Sequence, residues 1–342
     1  MSLTDEEIQY IRDEVEKSVR PLFFFDDDPD GLCSFLSFYR KKKEGKGIIV
    51  KSTPELKEEY ARKVEEYQPD LVVILDKPMV SQEFINACKG KKIIWIDHHG
   101  PQERKGVKYF NPRIHDDSDN RPTSYWSYRI NEEDLWISMA GIVGDWALPE
   151  DVTKKFREEY PDLLPEEIAK PQDALFNSTI GKISKMFSFL LKGKTNDVSK
   201  AIKILTRIES PEELLLHNTS RANLLHKKYV EMESEYQKLL TSVDTKDEKV
   251  ILFTYEESKI SFTSDLSNEL LYRFPERVII IGREKGDEVK ISMRSSKHVL
   301  PPIVQKALEG VDGYGGGHAH ACGGAIKKKD FQKFIEQFKA QV

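Results

Sequence analysis

The stretch FFFDDDPDG places four carboxylates, Asp26, Asp27, Asp28 and Asp30, within five positions directly behind three phenylalanines. Like charges this close raise one another's pKa unless something positive sits among them. A solvated acidic turn is the plain alternative, but such turns do not usually follow Phe-Phe-Phe or end in Pro-Asp-Gly. Further acids recur in similar settings. LVVILD ends in Asp76, KIIWIDHHG ends in Asp97-His98-His99, and the apolar segment LWISMAGIVGDWALP carries Asp145 beside Gly141 and Gly144. Carboxylates and imidazoles without thiolates suit Mn²⁺ or Mg²⁺ better than structural zinc. Two such ions about 3.5–4 Å apart would clamp a phosphoester and activate a water for in-line attack. Asp28 and Asp30 could give one carboxylate to each ion, Asp76 could bridge them, and His98 and Asp145 could complete the shells. Singly, Asp76 reads as a turn or N-cap residue and His-His as incidental. Asp145 inside an apolar helix is harder to dismiss, because burying an unpartnered acid is costly.

The elements that must position these residues alternate in the first half of the chain. The apolar periodicity predicts helices over 4–19 (Ile8, Ile11, Val15 and Val19 inward), 31–43, 54–67 and 81–90. Short apolar runs predict strands over 22–25, 47–51, 71–76 and 92–100. Strands that are apolar throughout, with helices between them, imply a parallel sheet covered on both faces. Ligands in such a sheet bind at the carboxyl ends of the strands. The acids at 28 and 30, at 76 and at 97–99 should therefore meet along one edge.

From about 134 to 240 the pattern is helical, with 135–149 an apolar helix and 213–240 one long connector. Strands follow at 249–255, 259–264, 277–284 and 288–296, then the glycine-rich run GGGHAHACGGAI at 315–326 and a short amphipathic helix. By itself that run reads equally well as a flexible glycine turn. The expected fold is α/β: a parallel-sheet domain with helices on both faces (1–210), a helical connector (211–246) and a smaller mixed α/β C-terminal domain (247–342). In the 342 residues, hydrophobic types make up 39% and charged types 32%, as in a soluble globular protein. No apolar run approaches a membrane-spanning length, and the acidic N-terminal segment is no secretory signal, so a cytoplasmic protein without membrane association is expected. Three dispersed cysteines imply neither a disulfide framework nor a zinc cluster. A net charge of -5 argues against a generally basic nucleic-acid coat while leaving room for a local basic groove.

Asp-x-Asp-Gly at 28–31, Asp76 and above all Asp97-His98-His99-Gly100 resemble the DHH phosphoesterase superfamily. Asp145 in GIVGDWALP is similar to that family's fourth acidic motif. Ser292-x-Arg294-Ser295 and Gly315-Gly316-Gly317-His318 resemble the DHH-associated domain that accompanies these enzymes. The resemblance implies Mn²⁺ ligands at Asp28, Asp30, Asp76, His98 and Asp145, with Asp76 bridging two ions and Mg²⁺ as the other candidate. It also implies that Asp97 orients the neighbouring imidazole and His99 touches the scissile phosphate. Asp26 matches an acid of the RecJ-like exonuclease branch and is a further ligand or supports one. Many relatives carry a ligating His four residues before the first Asp of the motif, where this chain has Phe24. Arg294 and Ser295, with Gly316, Gly317 and His318, would hold the substrate's phosphate, the glycines letting backbone N–H groups approach the anion.

What the resemblance implies is a metal-dependent phosphodiesterase that shortens single-stranded DNA or RNA from an end, releases mononucleotides and serves repair or replication, as archaeal RecJ-like exonucleases do. A helicase or other repair protein is the implied partner. The long connector offers a surface for self-association. The rivals are an oligoribonucleotide or cyclic-dinucleotide phosphodiesterase of the same superfamily, and a scaffold that has lost catalysis. Other residues have plainer readings: His115 as a loop residue, His217 and His226 as helix-surface residues, the cysteines as packing, and the lysine runs 41–43 and 327–329 as solvated surface or strand guides.

Overall fold

A computed structural model describes residues 2–51, 55–256 and 260–342. The chain divides into two compact units, one of residues 1–191 and 195–227, the other of 192–194 and 228–342. In chain order the first unit contains α1 (Asp5–Lys17), β1 (Pro21–Asp26), α2 (Pro29–Lys42), β2 (Lys46–Val50), β3 (Glu55–Leu56), α3 (Ala61–Tyr67), β4 (Leu71–Leu75), β5 (Met79–Val80), α4 (Gln82–Ala87), β6 (Lys92–Ile96) and β7 (Lys108–Phe110). Helices α5 (Thr123–Asn131), α6 (Leu135–Gly144), α7 (Glu150–Glu159), α8 (Pro171–Asn177), α9 (Thr179–Leu190), α10 (Thr195–Leu205) and α11 (Pro211–Leu216) follow, and the unit boundary falls within α12 (Ser220–Thr241).

The expected parallel sheet is present, in the order β2-β1-β4-β6-β7 with every pairing parallel. The three phenylalanines of β1 divide between its faces, as strand geometry dictates. Phe24 packs edge-on against Phe84 and Tyr60, while Phe23 and Phe25 both pack on Phe35 of α2. Register brings Phe25 beside Leu75, and Leu75 beside Ile96. Asp26, Asp76 and Asp97, the residues one step further along, therefore emerge side by side at the carboxyl edge.

Helix α2 starts immediately behind that edge. Asp28 caps it by accepting a hydrogen bond from the Gly31 amide at 2.9 Å, and Pro29 sits in the first turn, where a missing N–H is harmless. Gly31 lies so close to β1 that a Cβ there would stand 2.6 Å from the Asp26 nitrogen. At Gly144 a Cβ would stand 2.8 Å from Pro29, so the end of α6 lies directly against the start of α2.

Several expected elements differ. Val19 is exposed, because α1 ends at Lys17 and Ser18 turns extended. The helix expected over 54–67 begins only at Ala61. Glu55–Leu56 instead pair with Met79–Val80, burying Leu56 and Val80 in the core; residue 54 lies outside the described residues. The connector expected over 213–240 is broken. His217 is left-handed (φ 42°), and Thr219 restarts the helix by accepting from the Ala222 amide, as hydroxyl side chains do at helix starts. Glu213 ties the two helices by accepting from Thr219 and Arg221.

The second unit adds β8 (Val250–Tyr255), α13 (Thr263–Arg273), β9 (Val278–Lys285), β10 (Glu288–Arg294), α14 (Leu300–Ala307), β11 (Gly313–His318), β12 (Ala321–Lys327) and α15 (Lys328–Lys339). Its sheet runs β11-β12-β10-β9-β8, with only β8–β9 parallel. No strand covers 260–264. Thr263 opens α13 and the Tyr255 hydroxyl accepts from the Phe262 amide; residue 259 lies outside the described residues. The glycine-rich run is an antiparallel hairpin, β11 on β12. No helix among the described residues is long and apolar enough to cross a membrane.

Gly31→Ala is expected to lower unfolding free energy by about 1–3 kcal/mol, because backbone must shift to admit the methyl group. Chemical denaturation checks this; unchanged stability would show that the β1–α2 junction has slack.

Candidate metal centre

The carboxyl edge of the first sheet brings together all eight residues singled out there: Asp26, Asp28, Asp30, Asp76, Asp97, His98, His99 and Asp145. The Nε2 atom of His98 lies 3.5 Å from Asp76 Oδ1, 3.6 Å from Asp145 Oδ2 and 3.9 Å from Asp30 Oδ2. Two overlapping groups could each hold an ion: Asp30 with His98 and Asp145, and Asp76 with His98 and His99. Asp145 is not inside a helix, as expected, but follows the last residue of α6. Its amide bonds the Gly141 carbonyl at 3.0 Å, and its side chain is 37% exposed, because a helix end rather than a helix interior delivers it to the edge.

Each ligand candidate is held in place by neighbours. Asp30 is buried at the N-terminus of α5, where the Thr123 and Ser124 amides donate to its two oxygens at 2.8 Å each and the Ser124 hydroxyl adds a short hydrogen bond. Asp76 adopts a left-handed backbone (φ 58°), an unusual conformation for a side-chain-bearing residue and one that clusters at functional sites. His98 Nδ1 lies 3.4 Å from the Asn120 carbonyl. With the proton on Nδ1, the Nε2 lone pair faces the acids.

Electrostatics at this edge are unfavourable as the chain stands. Burial, then the charges of Asp30, Asp28, Asp26 and Asp145, push the Asp76 carboxyl well above its usual range. Burial, Asp30 and Asp28 do the same to Asp145, and burial and Asp30 raise Asp28. Burial lowers His98, favouring the neutral, ligating form. His98 Nε2 and Asp76 Oδ2 are buried without a hydrogen-bond partner among the described residues. Two orphaned acceptors among crowded carboxylates, in an all-oxygen and imidazole donor set, fit a hard divalent cation.

Asp97 is fully buried and holds His99. Its Oδ1 is 2.8 Å from His99 Nδ1, and its Oδ2 accepts from the His99 amide, the Tyr109 hydroxyl and the Asn111 side chain. Burial alone would lower the His99 pKa. The hydrogen bond to Asp97 and the charges of Asp97, Asp145 and Asp28 outweigh it and raise His99 to about 9. The Asp97 contact thus favours the protonated ring, and with Nδ1 engaged by Asp97 the Nε2–H is its remaining donor.

Several supporting residues escaped the sequence reading. Lys77 is completely buried and pairs with Asp26 at 2.9 Å. Burial and Asp28 push Asp26 up to about 7 against that pull. A lysine directly after a strand-end acid at a ligand edge was the available signal. Asn111-Pro112 and Thr123-Ser124 resemble a family segment that shapes the site, but the sequence assigns them no role; the structure shows Thr123 and Ser124 holding Asp30 and Asn111 holding Asp97. Tyr109 and Asn120 give no signal, since they act through a hydroxyl and a carbonyl. His115 pairs with Glu7 on the surface. The lysine runs are paired as well: Lys41 with Glu133, Lys42 with Glu44, Lys327 with Asp287 and Glu288, Lys328 with Glu284 and Lys329 with Asp312. The three cysteines are buried and free.

In the second unit, Arg294 lies level with Ala321, which lies level with His318 on the far side of β12. The two are about 10 Å apart, two strand spacings, on one face of the sheet. Ser292, Gly323 and Gly316 form the adjacent row. Arg294 donates to Asn268, Ser292 and the Met293 carbonyl, and burial lowers it to about 10. No carboxylate among the described residues pairs with it. A Cβ on Gly316 would meet nothing within 4 Å, whereas one on Gly317 (φ +147°) would strike the Ala321 carbonyl at 2.4 Å. Ser295 is buried, its hydroxyl accepting from the Lys297 and His298 amides, so it shapes the turn behind Arg294.

The family model for the N-terminal domain of the DHH family matches residues 22–171, and that for the DHHA1 domain matches 263–342. No curated protein matches the chain by sequence. Among solved structures, RecJ of Thermus thermophilus in complex with Mn²⁺ is similar at a TM-score of 0.70 and 17% identity, over 98% of this chain and 54% of that one. This chain therefore spans about half the length of that RecJ. An exonuclease RecJ bound to manganese is similar at 0.59 and 17%, over 100% and 95%. A pGpG-specific phosphodiesterase from Vibrio cholerae is similar at 0.50 and 13%, over 94% and 100%. At these identities the likeness is one of fold.

A carboxylate whose folded pKa is raised binds more protons when folded than unfolded, so ionising it costs stability as pH rises past the unfolded value of about 3.8. For Asp26 that loss runs to about pH 7. His99, raised from 6.5 to about 9, contributes stability that is full below 6.5 and lost as pH rises through 9. In chelator, Asp76→Asn should therefore stabilise the fold increasingly as pH rises above about 4. Thermal midpoints of both proteins across that range test this. A mutant-minus-wild-type difference that is flat or falls with pH contradicts it.

Proposed function

The chain belongs to the DHH superfamily, and from that premise we propose that it is a divalent-metal-dependent phosphodiesterase that shortens single-stranded DNA or RNA from an end. The observation that carries the reading is the buried His98 Nε2, an acceptor with no hydrogen-bond partner among the described residues, facing the carboxylates of Asp30, Asp76 and Asp145. A cation bound there supplies Lewis-acid activation of water and phosphate.

The chain's own residues do the rest. Asp30, Asp76, His98 and Asp145 fix where that charge sits, and Asp28 completes the acidic wall. The His99 imidazolium donates to a non-bridging oxygen of the scissile phosphate, and Asp97 holds it in position without entering the reaction. In the second unit, Arg294 and His318 bind a further phosphate or the strand terminus. A half-buried guanidinium with no carboxylate partner among the described residues is a cation prepared for an anion. Gly316 and Gly317 let the β11 backbone approach that anion, and Ser295 holds the turn.

The Asp26-x-Asp28-x-Asp30-Gly31 spacing, shared with RecJ-like exonucleases, supports a polymeric substrate, and a role in repair or replication beside a helicase belongs to the same reading. Mn²⁺ is the first candidate ion and Mg²⁺ the second. The fold likeness to a pGpG-specific phosphodiesterase of matching length favours a second reading, hydrolysis of dinucleotides or short oligonucleotides.

Single strands of DNA and RNA, labelled at the 5′ or the 3′ end, separate these readings. Stepwise shortening by the wild type with Mn²⁺, abolished in Asp76→Ala, is the expected result and fixes polarity and sugar preference. Intact long strands with cleaved dinucleotides transfer the assignment to the second reading, and full activity in Asp76→Ala contradicts both. Arg294→Lys should raise KM by about ten- to a hundredfold with kcat little changed, because lysine cannot reproduce a planar two-point phosphate contact. Steady-state kinetics check this.

A further inference from the structure

The ligands do not divide evenly between two ions. The two groups that could hold an ion share His98, and in the second His99 Nδ1 is already engaged by Asp97 at 2.8 Å. Asp30, Asp76, His98 and Asp145 surround one position, with His98 Nε2 within 3.9 Å of all three carboxylates. The Asp26 and Asp28 side of the cluster is differently furnished. Phe24, two residues before Asp26 on the same strand, is fully buried in the core against Phe84 and Tyr60 and offers no donor. Asp28 spends one oxygen capping α2. Asp26 spends one oxygen on Lys77, whose ammonium lies 2.9 Å away.

Lys77 is not a surface lysine that happened to fold inward. Its side chain has no exposure at all. The left-handed turn at Asp76 sets where it leaves the strand, and its carbonyl accepts from the Trp95 indole at 3.0 Å. Trp95 in turn stacks on Tyr109, which donates to Asp97. A buried charge is retained only when it is paired, and here the partner is one of the crowded acids. The ammonium thus places a positive charge beside Asp26, on the side of the cluster that a second ion would need.

We propose that Lys77 is a built-in cation that takes the electrostatic place of a second metal ion, so that the centre holds one tightly bound divalent cation, among Asp30, Asp76, His98 and Asp145. The proposal rests on the reading of this edge as a metal centre. It separates this chain from a two-ion site by a residue of its own, and it gives Asp26 a role as the partner of Lys77 rather than as a ligand.

The test counts ions without substrate. Mn²⁺ is titrated into metal-free protein by calorimetry, and the spectrum of the bound ion is recorded by electron paramagnetic resonance. Wild type should bind one Mn²⁺ per chain with an isolated-ion spectrum, and Lys77→Arg, which keeps the charge, should do the same. Lys77→Met should gain a second Mn²⁺ at least about tenfold tighter than any second ion in wild type, with the multiline spectrum of an exchange-coupled pair. Asp26→Asn should still bind one, since the ammonium stays. Two coupled ions in wild type overturn the proposal alone, as does a folded Lys77→Met that still binds one. If Lys77→Met fails to fold, the wild-type count decides. No bound Mn²⁺ in wild type overturns both this proposal and the metal-centre reading beneath it.

Discussion

Everything at the active edge answers to one constraint: parallel-strand register delivers several carboxylates to the same buried place, where they repel. Pairing Phe25 with Leu75 and Leu75 with Ile96 obliges the next residue on each strand, Asp26, Asp76 and Asp97, to emerge together. The start of α2 adds Asp28 and Asp30, and the end of α6 adds Asp145. Apolar strands provide the rigidity that keeps these groups from relaxing apart. The surroundings then compensate in parts. The N-terminus of α5 donates two amides to Asp30, Lys77 answers Asp26, and His99 answers Asp97. Asp76 accepts a 3.3 Å hydrogen bond from Thr123 at Oδ1, and its Oδ2 has no partner among the described residues. The charge left uncompensated marks where a cation belongs. Such a site trades stability in the metal-free state for affinity in the loaded one.

Much of this was legible before the fold was known, for physical reasons. Strands that are apolar on both faces announce a parallel sheet, and an acid at each strand end announces its ligand edge. What escaped was of two kinds. Short tertiary pairings overrode local periodicity. Glu55–Leu56 joined Met79–Val80 although the segment scans as helix, and 213–240 broke at His217 because Thr219 and Glu213 offered better local hydrogen bonds. Contacts made through backbone or hydroxyl groups also leave no compositional trace. Thr123 and Ser124 hold Asp30 through their amides, and Asn120 fixes the His98 tautomer through its carbonyl. Asp145 was expected inside a helix and instead follows the last residue of α6, where a carboxylate can reach the edge without being sealed in the helix packing.

The second unit solves a different problem with the same economy of charge. Its hairpin of glycines, open to a flexible-turn reading, is a pair of strands in which only the small Ala321 lies between Arg294 and His318, and Gly323 and Gly316 leave the adjacent row without side chains. The alternation of β10 turns Met293 into the core and Arg294 to the opposite face. An anion on that face would meet a guanidinium already oriented by Asn268 and Ser292. The acid-and-imidazole cluster and the guanidinium face thus belong to separate structural units.

The central claim is that the uncompensated carboxylates and His98 form a metal centre. The most direct measurement is a crystal structure of the protein grown with Mn²⁺, using anomalous scattering at the manganese edge. The account predicts an anomalous peak within bonding distance of His98 Nε2 and of oxygens from Asp30, Asp76 and Asp145. An edge free of anomalous signal at saturating Mn²⁺, with His98 Nε2 hydrogen-bonded to a protein group instead, would contradict it.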